Sequence, residues 1–429
     1  MHRRFSTRTY LYFGIAAACF LLSVATGKSE PLIMAAPFVV ALLLAPFFGS
    51  PPQAQAKVVL SRRTAFEKEG ITITLSIYAG TKAALLEIIG VLPDDAEVCD
   101  GTADIVAAFD AGERRSFSYS FSLPARRKIQ IGKHLMRIHD ESSLTYWESE
   151  IDQAVDLTVY PAPHFSKQGI NAVHTQVYAG NYTSKLVGEG LEFADIRELT
   201  DSDRFNRINW KATARSDRFF RNEYAQERNA DVVVLLDTFF DLRAQGISFL
   251  DCAARGAATI SQHYIERKNR VGLVELGYYL RYLLPRPGAR QWYKILEHLA
   301  QTRSEPRHVS FEVASIPRRI LPPKALVFAF STLAESRFRE ACVDLKYRGF
   351  EVVVIHVAPT QLLPSLPSGN TAASRAERIA RRMWDLELKL EIRKIREHGV
   401  PVVPWPIEQP FSLIMSERAL RNMRMRRYS

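Results

Sequence analysis

Cysteine is scarce in this chain, and no pair of cysteines has the short spacing of a metal site. Only four occur among 429 residues, and they lie far apart. This pattern excludes a cysteine-based metal motif and a disulfide framework, and it suits a reducing compartment. We expect the cysteines to be small, buried apolar residues. They are Cys19, Cys99, Cys252 and Cys342.

A nucleotide-binding loop is also missing. Gly188 and Gly190 lie close together, but the Lys and the Ser or Thr that complete a P-loop do not follow them. Hydrophobic residues make up 47% of the chain, enough for a sizeable core, and its length suits two or three domains. The net charge of +11 favours contact with an anionic surface, either lipid head groups or nucleic acid.

Two uncharged, mainly apolar stretches lie near the N-terminus, at Thr9–Gly27 and Leu32–Phe48. A helix needs about 20 apolar residues to cross a bilayer, with about 17 as the lower limit, and both stretches qualify. Only a few residues connect them. We therefore predict a transmembrane helical hairpin over residues 1–56, in which Pro37 and Pro46 are placed to kink or end the second helix.

Positive charges flank this hairpin at both ends. Its connector has a single cation, Lys28, whereas three cations precede the hairpin and three follow it. By the positive-inside rule both ends face the cytoplasm, so we expect a two-pass membrane protein with cytoplasmic N- and C-termini. The flanking cations are Arg3, Arg4, Arg8, Lys57, Arg62 and Arg63.

A cleaved signal peptide is the alternative to a hairpin. The tripeptide at residues 54–56, Ala-Gln-Ala, has the small-x-small form of a cleavage site. We favour the hairpin because a second apolar span follows the first almost at once. The apolar run before the tripeptide is also long for a signal peptide.

Residues 57–165 alternate apolar and polar side chains, as strands with one buried face do. Turn signals such as Glu69–Gly70 separate the runs, which favours a β-sandwich of immunoglobulin-like or fibronectin-like type. His134 and His139 lie five residues apart, so they face opposite sides of a strand and form no metal pair. The predicted strands are Ile71–Ile77, Leu85–Val91, Arg115–Leu123, Ile129–Ile138 and Val155–Tyr160.

Residues 231–429 alternate strand and helix patterns. The apolar run Val232–Leu236 is typical of a strand that is buried on both faces. Such alternation predicts a doubly wound, mainly parallel sheet, in which ligands bind at the carboxyl ends of the strands. The further predicted strands are Arg270–Leu276, Tyr279–Leu284, Ala325–Phe330, Glu351–Val357 and Pro401–Trp405, and the predicted helices are Phe249–Arg267, Arg290–Gln301, Arg337–Arg348 and Ala372–His398.

The connecting segment, residues 166–230, is crowded with aromatic and charged residues whose acids and bases nearly balance. Three interpretations stay open: an ion-pair network that joins two domains, a docking surface anchored by Trp and Arg, or a catalytic pair formed by Glu192 and Asp203. Four residues also supply the cations and the stacking ring of a nucleic-acid site, but the balanced charge argues against nucleic acid as a partner. They are Arg207, Trp210, Lys211 and Arg215.

The same segment resembles the signature of the bacterial domain-of-unknown-function 58 family. The matching residues are Gly188–Gly190, Glu192, Phe193, Arg197, Glu198, Asp203, Arg207, Ile208–Lys211, Ala214 and Arg215. The resemblance implies two helices in the bacterial inner (cytoplasmic) membrane, a small β domain, and a von Willebrand factor A-like domain over residues 231–429. It also implies a MoxR-type AAA+ ATPase as partner. The candidate interaction residues are Glu192, Arg197, Glu198, Asp203, Arg207, Trp210, Lys211 and Arg215.

Von Willebrand A domains hold a divalent ion at the end of the first strand, on an Asp-x-Ser-x-Ser motif. In the aligned stretch Asp237 is kept and Asp241 can replace the last Ser, whereas Phe239 has no ligating atom. No Asp stands at Ser331–Thr332, where a further acid is common in such domains. The resemblance thus implies at most a degenerate Mg²⁺ site at Asp237, Thr238 and Asp241, and we expect no other cofactor.

These observations predict an adaptor and not an enzyme. In this hypothesis, a membrane-anchored protein presents a cytosolic von Willebrand A-like domain to other proteins, with a MoxR-type ATPase, for their assembly or remodelling. Two alternatives come from other classes. One is a membrane-bound hydrolase that uses carboxylates of residues 166–230, and the other is a nucleic-acid binder.

Overall fold

The computed structural model describes residues 2–44, 53–140, 143–163, 187–188, 192–200, 208–215, 218–225, 231–244, 247–305, 316–317, 319–357, 372–405, 409 and 411. The chain divides into two compact units, Met1–Pro161 and Ala162–Ser429. Helices and several sheets of strands are both present, so the protein is of mixed α/β class.

An apolar helix, α1 (Thr7–Thr26), begins close to the N-terminus. Its N-cap is Ser6, whose hydroxyl accepts a hydrogen bond from the backbone N–H of Arg8. Gly27 ends the helix in the left-handed conformation, at φ 62°, which glycine adopts without strain. With 20 mainly apolar residues, α1 is long and apolar enough to cross a membrane, which confirms the apolar N-terminal helix.

A second, shorter apolar helix, α2 (Glu30–Leu44), follows after a brief connector. It continues through Pro37 instead of ending there, and Pro46 lies outside the described residues. The rings of Tyr12 and Phe38 are 5.2 Å apart in an edge-to-face arrangement, so the two helices contact each other.

Two sheets form the rest of the first unit. Their strands are β1 (His2–Phe5), β2 (Ala54–Leu60), β3 (Thr64–Phe66), β4 (Ile71–Ala79), β5 (Ala83–Gly90), β6 (Glu97–Asp100), β7 (Ile105–Phe109), β8 (Glu113–Ser122), β9 (Arg127–His139) and β10 (Thr145–Tyr160). One sheet has the order β1-β10-β9-β5-β7, with β3 paired to β10, and the other has the order β2-β4-β8-β6.

The two sheets share one apolar core. Ile71, Ile73, Leu75 and Ile77 of β4 are completely buried, and the residues between them are more exposed. Leu157 of β10, in the other sheet, belongs to the same buried cluster. The strand predicted from the unbroken alternation of residues 71–77 is confirmed, because an alternating strand buries one face against a partner sheet.

The strand β1 is not predicted from the sequence. It pairs antiparallel with β10, from His2 opposite Glu148 to Phe5 opposite Thr145. The backbone N–H of Ser6 extends this contact with a 2.8 Å hydrogen bond to the carbonyl of Leu144. The residues just before α1 are therefore part of a sheet, where the sequence shows only flanking cations.

Two further expectations need correction. β2 begins at Ala54 and pairs with β4, so residues 54–56 belong to a sheet and not to the predicted helical segment. Cys99 in β6 is exposed, whereas Cys252 and Cys342 are buried as expected. Cys99 lies on an edge strand, and all four residues of β6 are exposed.

The second unit holds a six-stranded sheet with the order β18-β17-β14-β19-β20-β21 and a three-stranded sheet with the order β11-β13-β12. The strands are β11 (Val187–Gly188), β12 (Glu192–Glu198), β13 (Phe220–Ala225), β14 (Asp231–Asp237), β15 (Arg243–Ala244), β16 (Ile247–Ser248), β17 (Arg270–Leu276), β18 (Leu280–Arg286), β19 (Leu326–Ser331), β20 (Glu351–Val357) and β21 (Val402–Trp405). The helices are α3 (Trp210–Thr213), α4 (Phe249–Glu266), α5 (Ala289–Gln301), α6 (Ser336–Tyr347) and α7 (Ala372–Glu397).

The six-stranded sheet is parallel except at β18, which runs antiparallel to its neighbour β17. β14 lies in its interior, and residues 232–236 of this strand are completely buried. This confirms the buried strand at Val232–Leu236. A strand covered on both faces needs apolar side chains in both directions, so its sequence does not alternate.

Candidate functional site

The carboxyl ends of the parallel strands bring four buried polar residues to one edge of the sheet. Asp237 ends β14, Ser331 ends β19, Glu275 lies near the end of β17, and His356 lies near the end of β20. The registers place Ser331 opposite His356 and place Leu236 opposite Glu275. Ligands of open α/β sheets bind at this edge, so these residues form the first candidate site.

Asp237 is held by protein donors on both carboxyl oxygens. Ser331 Oγ donates to Oδ2 at 2.6 Å, and the backbone N–H of Phe239 donates to Oδ1 at 3.2 Å. Burial raises the pKa of Asp237 to about 7, although these two hydrogen bonds act in the opposite direction and the nearby Glu335 adds to the rise. The carboxyl group therefore binds a proton near neutral pH.

Asp241 anchors the start of α4. Its Oδ1 accepts hydrogen bonds from Ser248 Oγ at 2.6 Å and from the backbone N–H of Leu250 at 3.3 Å. Its Oδ2 accepts one from Arg243 Nε at 2.9 Å. Ser248 is the N-cap of α4, so Asp241 fixes a helix terminus.

Thr238 is fully buried beside Gly277. A Cβ at Gly277 would clash with Thr238 Oγ1 and with the backbone of the same residue. Glycine at this position therefore allows the turn after β17 to pack directly on the end of β14.

The predicted residues do not fit a divalent cation. Phe239, at the third position of the motif, is buried, and the guanidinium carbon of Arg337 lies 4.6 Å from the centre of its ring. The oxygens of Asp237 and Asp241 have the protein partners described above. Within the described ranges, no three His, Cys, Asp or Glu residues are grouped as metal ligands. We derive no chemistry from a metal here.

Glu275 and His356 are buried residues that the sequence analysis did not single out. Glu275 Oε1 accepts a 2.6 Å hydrogen bond from Thr302 Oγ1, and Arg281 lies 3.4 Å from its other oxygen. Burial lowers the pKa of His356 to about 4, so its ring is neutral at physiological pH. Each is a titratable residue inside an apolar run, which is the signal that could have identified it.

The second candidate site lies around α3, in the predicted signature segment. Asn209 caps this short helix through a 3.0 Å hydrogen bond from the Ala212 N–H to its Oδ1. Its Nδ2 donates to Asn222 Oδ1 at 2.7 Å, and the Phe220 N–H donates to Thr213 Oγ1 at 3.1 Å. These contacts fix α3 on β13.

Trp210, the first residue of α3, is 68% exposed. Lys211 and Arg215 are also exposed, and the described part of the chain offers no ion-pair or hydrogen-bonding partner to either side chain. Phe219, just before β13, is 54% exposed. We call Trp210, Lys211, Arg215 and Phe219 the Trp210 surface. A fixed backbone that exposes two large rings and two cations is suited to protein contact.

The other predicted interaction residues are placed only in part. Arg197 Nη1 donates to the carbonyl of Glu198 at 2.9 Å, and Arg218 Nη1 lies 3.3 Å from both carboxylate oxygens of Glu198. Glu192 is in β12, opposite Ala225, but its side chain is outside the described residues. Asp203 and Arg207 lie outside them as well.

The family comparison covers both candidate sites. Residues 195–374 match the sequence model of the family described as "Protein of unknown function DUF58". The chain contains a DUF58 domain. This domain begins within β12, includes the Trp210 surface and the strands β14 to β20, and ends within the first residues of α7.

Several solved structures are distantly similar to part of this chain. A complex of zinc 2-glycoprotein and prolactin inducible protein from human seminal plasma is 10% identical, with 26% of this chain and 98% of that chain covered and a TM-score of 0.18. A FixG-related protein from Vibrio parahaemolyticus is 16% identical, with 25% and 95% covered and a TM-score of 0.16. At such TM-scores the similarities support no conclusion. A comparison with curated proteins found no match.

Proposed function

We propose that this protein is a membrane-anchored adaptor without enzymatic activity, and that its DUF58 domain binds another protein through the Trp210 surface. The exposure of Trp210 on a fixed helix is the observation on which the proposal depends. Trp and Arg are the residues most often found as energetic anchors of protein interfaces. The buried carboxylates Asp237 and Glu275 hold structural partners, which supports a binding role over catalysis.

The partner in this proposal is a MoxR-type AAA+ ATPase, and the pair assembles or remodels other proteins. The family resemblance supports this choice, since DUF58 proteins are associated with such ATPases. The proposal extends to the finer architecture: the two sheets of the first unit form an immunoglobulin-like or fibronectin-like sandwich, and the six-stranded sheet of the second belongs to a von Willebrand factor A-like domain.

The anchor in this proposal is a two-pass hairpin of α1 and α2. A helix of 20 residues is about 30 Å long, which equals the apolar thickness of a bilayer. The pairing of β1 with β10 supports the two-pass arrangement, because it requires the N-terminus and the sheets to be on the same side of the membrane. Cleavage after α1 would also remove β1 from its sheet, which argues against a signal peptide.

By the positive-inside rule, the flanking cations support the cytoplasm of a bacterium as that side, with the hairpin in the inner membrane. Residues 45–48 of the predicted second apolar span lie outside the described part of the chain. In this arrangement the DUF58 domain is presented to cytosolic proteins.

Affinity capture of the full-length protein from detergent extracts tests the proposal. The wild-type chain should retain an AAA+ ATPase, and Trp210→Ala combined with Arg215→Gln should reduce retention at least about tenfold, as loss of an interface anchor does. The matched control is Tyr293→Ala with Lys294→Gln, an exposed ring and a neighbouring exposed cation on α5. The control should bind like the wild type. If the Trp210 variant retains as much ATPase as the wild type, the Trp210 surface is not the binding site. If the wild-type protein captures no AAA+ ATPase, the proposed partner is wrong.

A further inference from the structure

A cavity of about 820 Å³ opens in the first unit, where β1 and the first turn of α1 meet strands β5, β9 and β10. Cationic side chains from three of these elements line it: Arg3 and Arg4 of β1, Arg8 of α1, and Arg137 of β9. Glu87 and His139 lie on its wall. We call this the arginine cavity. Its volume is within the range of small-molecule sites, about 300–1,000 Å³.

Protein contacts hold most of these guanidinium groups in place. Arg4 and Arg137 lie 3.1 and 3.0 Å from Glu148. Arg3 donates hydrogen bonds of 3.1 Å from Nε and Nη2 to Thr145 Oγ1. The cavity wall is therefore already organised, so a ligand pays little to order it.

Among the described residues around the arginine cavity, arginines outnumber carboxylates. Three carboxylates lie near the four arginines: Glu87, Glu148 and the buried Asp140. Glu87 lies 3.4 Å from His139 Nε2. The side chain of Arg8 has no hydrogen bond or ion pair with any described residue. An anion with several oxygens can use such a group, because a guanidinium binds phosphate through parallel hydrogen bonds.

The position of the cavity indicates where the anion comes from. Arg8 lies in the first turn of α1, the helix assigned above to the membrane, and Phe5 and Tyr10 beside it are 57% and 68% exposed. Amphipathic rings such as that of Tyr10, and arginines, lie at the depth of the lipid head groups when they are at the end of a membrane helix. An amphipathic ring is well placed there, whereas it gains nothing around a water-soluble ion.

We propose that the arginine cavity binds the phosphate of an anionic phospholipid head group. The lipid would contact β1, α1 and the neighbouring strands β9 and β10 at the membrane surface. The site rests on α1 as a membrane helix and is independent of the ATPase partner, since the Trp210 surface is in the other unit.

The test uses the full-length protein purified in detergent and phosphatidylglycerol, with phosphatidylcholine as the uncharged comparison, and native mass spectrometry counts the bound lipid. Wild-type protein should bind phosphatidylglycerol in preference to phosphatidylcholine. Arg8→Gln should weaken phosphatidylglycerol binding about fivefold, the loss expected for one cation near an anionic surface. Arg8→Lys keeps the charge and should retain most of the binding.

Lys28→Gln is the matched control, because it removes one exposed cation at the opposite end of α1. It should bind phosphatidylglycerol like the wild type. Equal binding by wild type and Arg8→Gln, with unchanged melting temperatures, would overturn the proposal. A second arm adds inorganic phosphate to lipid-free protein. The lipid proposal would be overturned if phosphate binding is saturable and depends on Arg8 while the protein shows no preference for phosphatidylglycerol. The cavity would then be a site for a soluble phosphate.

Discussion

The hydroxyl of Ser331 donates a 2.6 Å hydrogen bond to Asp237 Oδ2 and links the carboxyl ends of two neighbouring parallel strands. The Phe239 N–H donates to its other oxygen, so the Asp237 carboxyl group joins the turn directly after β14 to the end of β19. A buried carboxyl group that is shared in this way stabilises one arrangement of the strand ends, because leaving it unpaired would be costly. We interpret Asp237 as a structural residue at a sheet edge where many α/β proteins bind ligands.

Asp237 makes the stability of the protein depend on pH. Burial raises its pKa from 3.8 to about 7. The folded state then holds this proton more tightly than the unfolded state, so the contribution is complete below pH 3.8 and is lost as pH rises to about 7. Each unit of pKa difference corresponds to about 1.4 kcal/mol. We expect Asp237→Asn to remove this part of the pH dependence.

Thermal unfolding of the full-length protein in detergent measures the effect. Asn keeps the size of Asp and an oxygen that accepts from Ser331, but it does not titrate. The melting temperature of the wild type should fall relative to that of Asp237→Asn as pH increases from the usual carboxyl range to neutrality. Parallel curves for the two proteins would show that the carboxyl group does not titrate in this range.

Loss of the Ser331 hydroxyl should destabilise the second unit. Ser331→Ala removes the donor to a buried carboxyl group, and we expect a decrease of about 1–3 kcal/mol in the free energy of unfolding. Ser336→Ala, at an exposed position five residues later, should change it by less than about 0.5 kcal/mol. Urea denaturation followed by tryptophan fluorescence compares them, and equal effects would contradict the role of Ser331.

Magnesium should not stabilise the protein. Asp237 and Asp241 both have protein partners, and a ligand that binds the folded state must raise the melting temperature. We expect the same melting temperature at neutral pH with millimolar Mg²⁺ and with a chelator. A rise with Mg²⁺ that Asp237→Asn abolishes would mean that the degenerate motif still binds the ion.

Removal of residues 2–5 should expose the edge of the first sheet. β1 covers residues 145–148 of β10, so without it the backbone amides that pair with β1 lose their partners. Hydrogen–deuterium exchange should become faster in residues 145–148, while exchange in β4 stays unchanged because β4 belongs to the other sheet. Unchanged exchange in β10 would mean that β1 does not pair there in solution.

The sequence predicts elements well where side-chain periodicity reports burial directly. Residues 71–77 alternate because one face is buried, and residues 232–236 do not alternate because both are. β1 is missed for the opposite reason. Its four residues include Arg3 and Arg4, all are exposed, and only pairing with β10 more than 140 residues later makes them a strand.

The candidate sites depend on contacts that no local pattern shows. Asp241 resembles a metal ligand in sequence, but the chain brings Ser248 and Leu250 to its oxygens. The donor to Glu275 is Thr302, 27 residues away. The composition of the signature segment indicates interaction residues, whereas the exposure of Trp210 and the capping of α3 by Asn209 follow only from the folded backbone.

The most direct test of the account is to measure on which side of the membrane the first unit lies. Cys99 provides a native reporter for this measurement. Cys99 is exposed in the first unit, whereas Cys252 and Cys342 are buried and Cys19 lies within α1. A membrane-impermeant maleimide should label Cys99 only after bacterial cells that express the protein are permeabilised, and Cys99→Ser should abolish that labelling. Labelling of Cys99 in intact cells, with access through the outer membrane provided, would contradict a cytosolic adaptor.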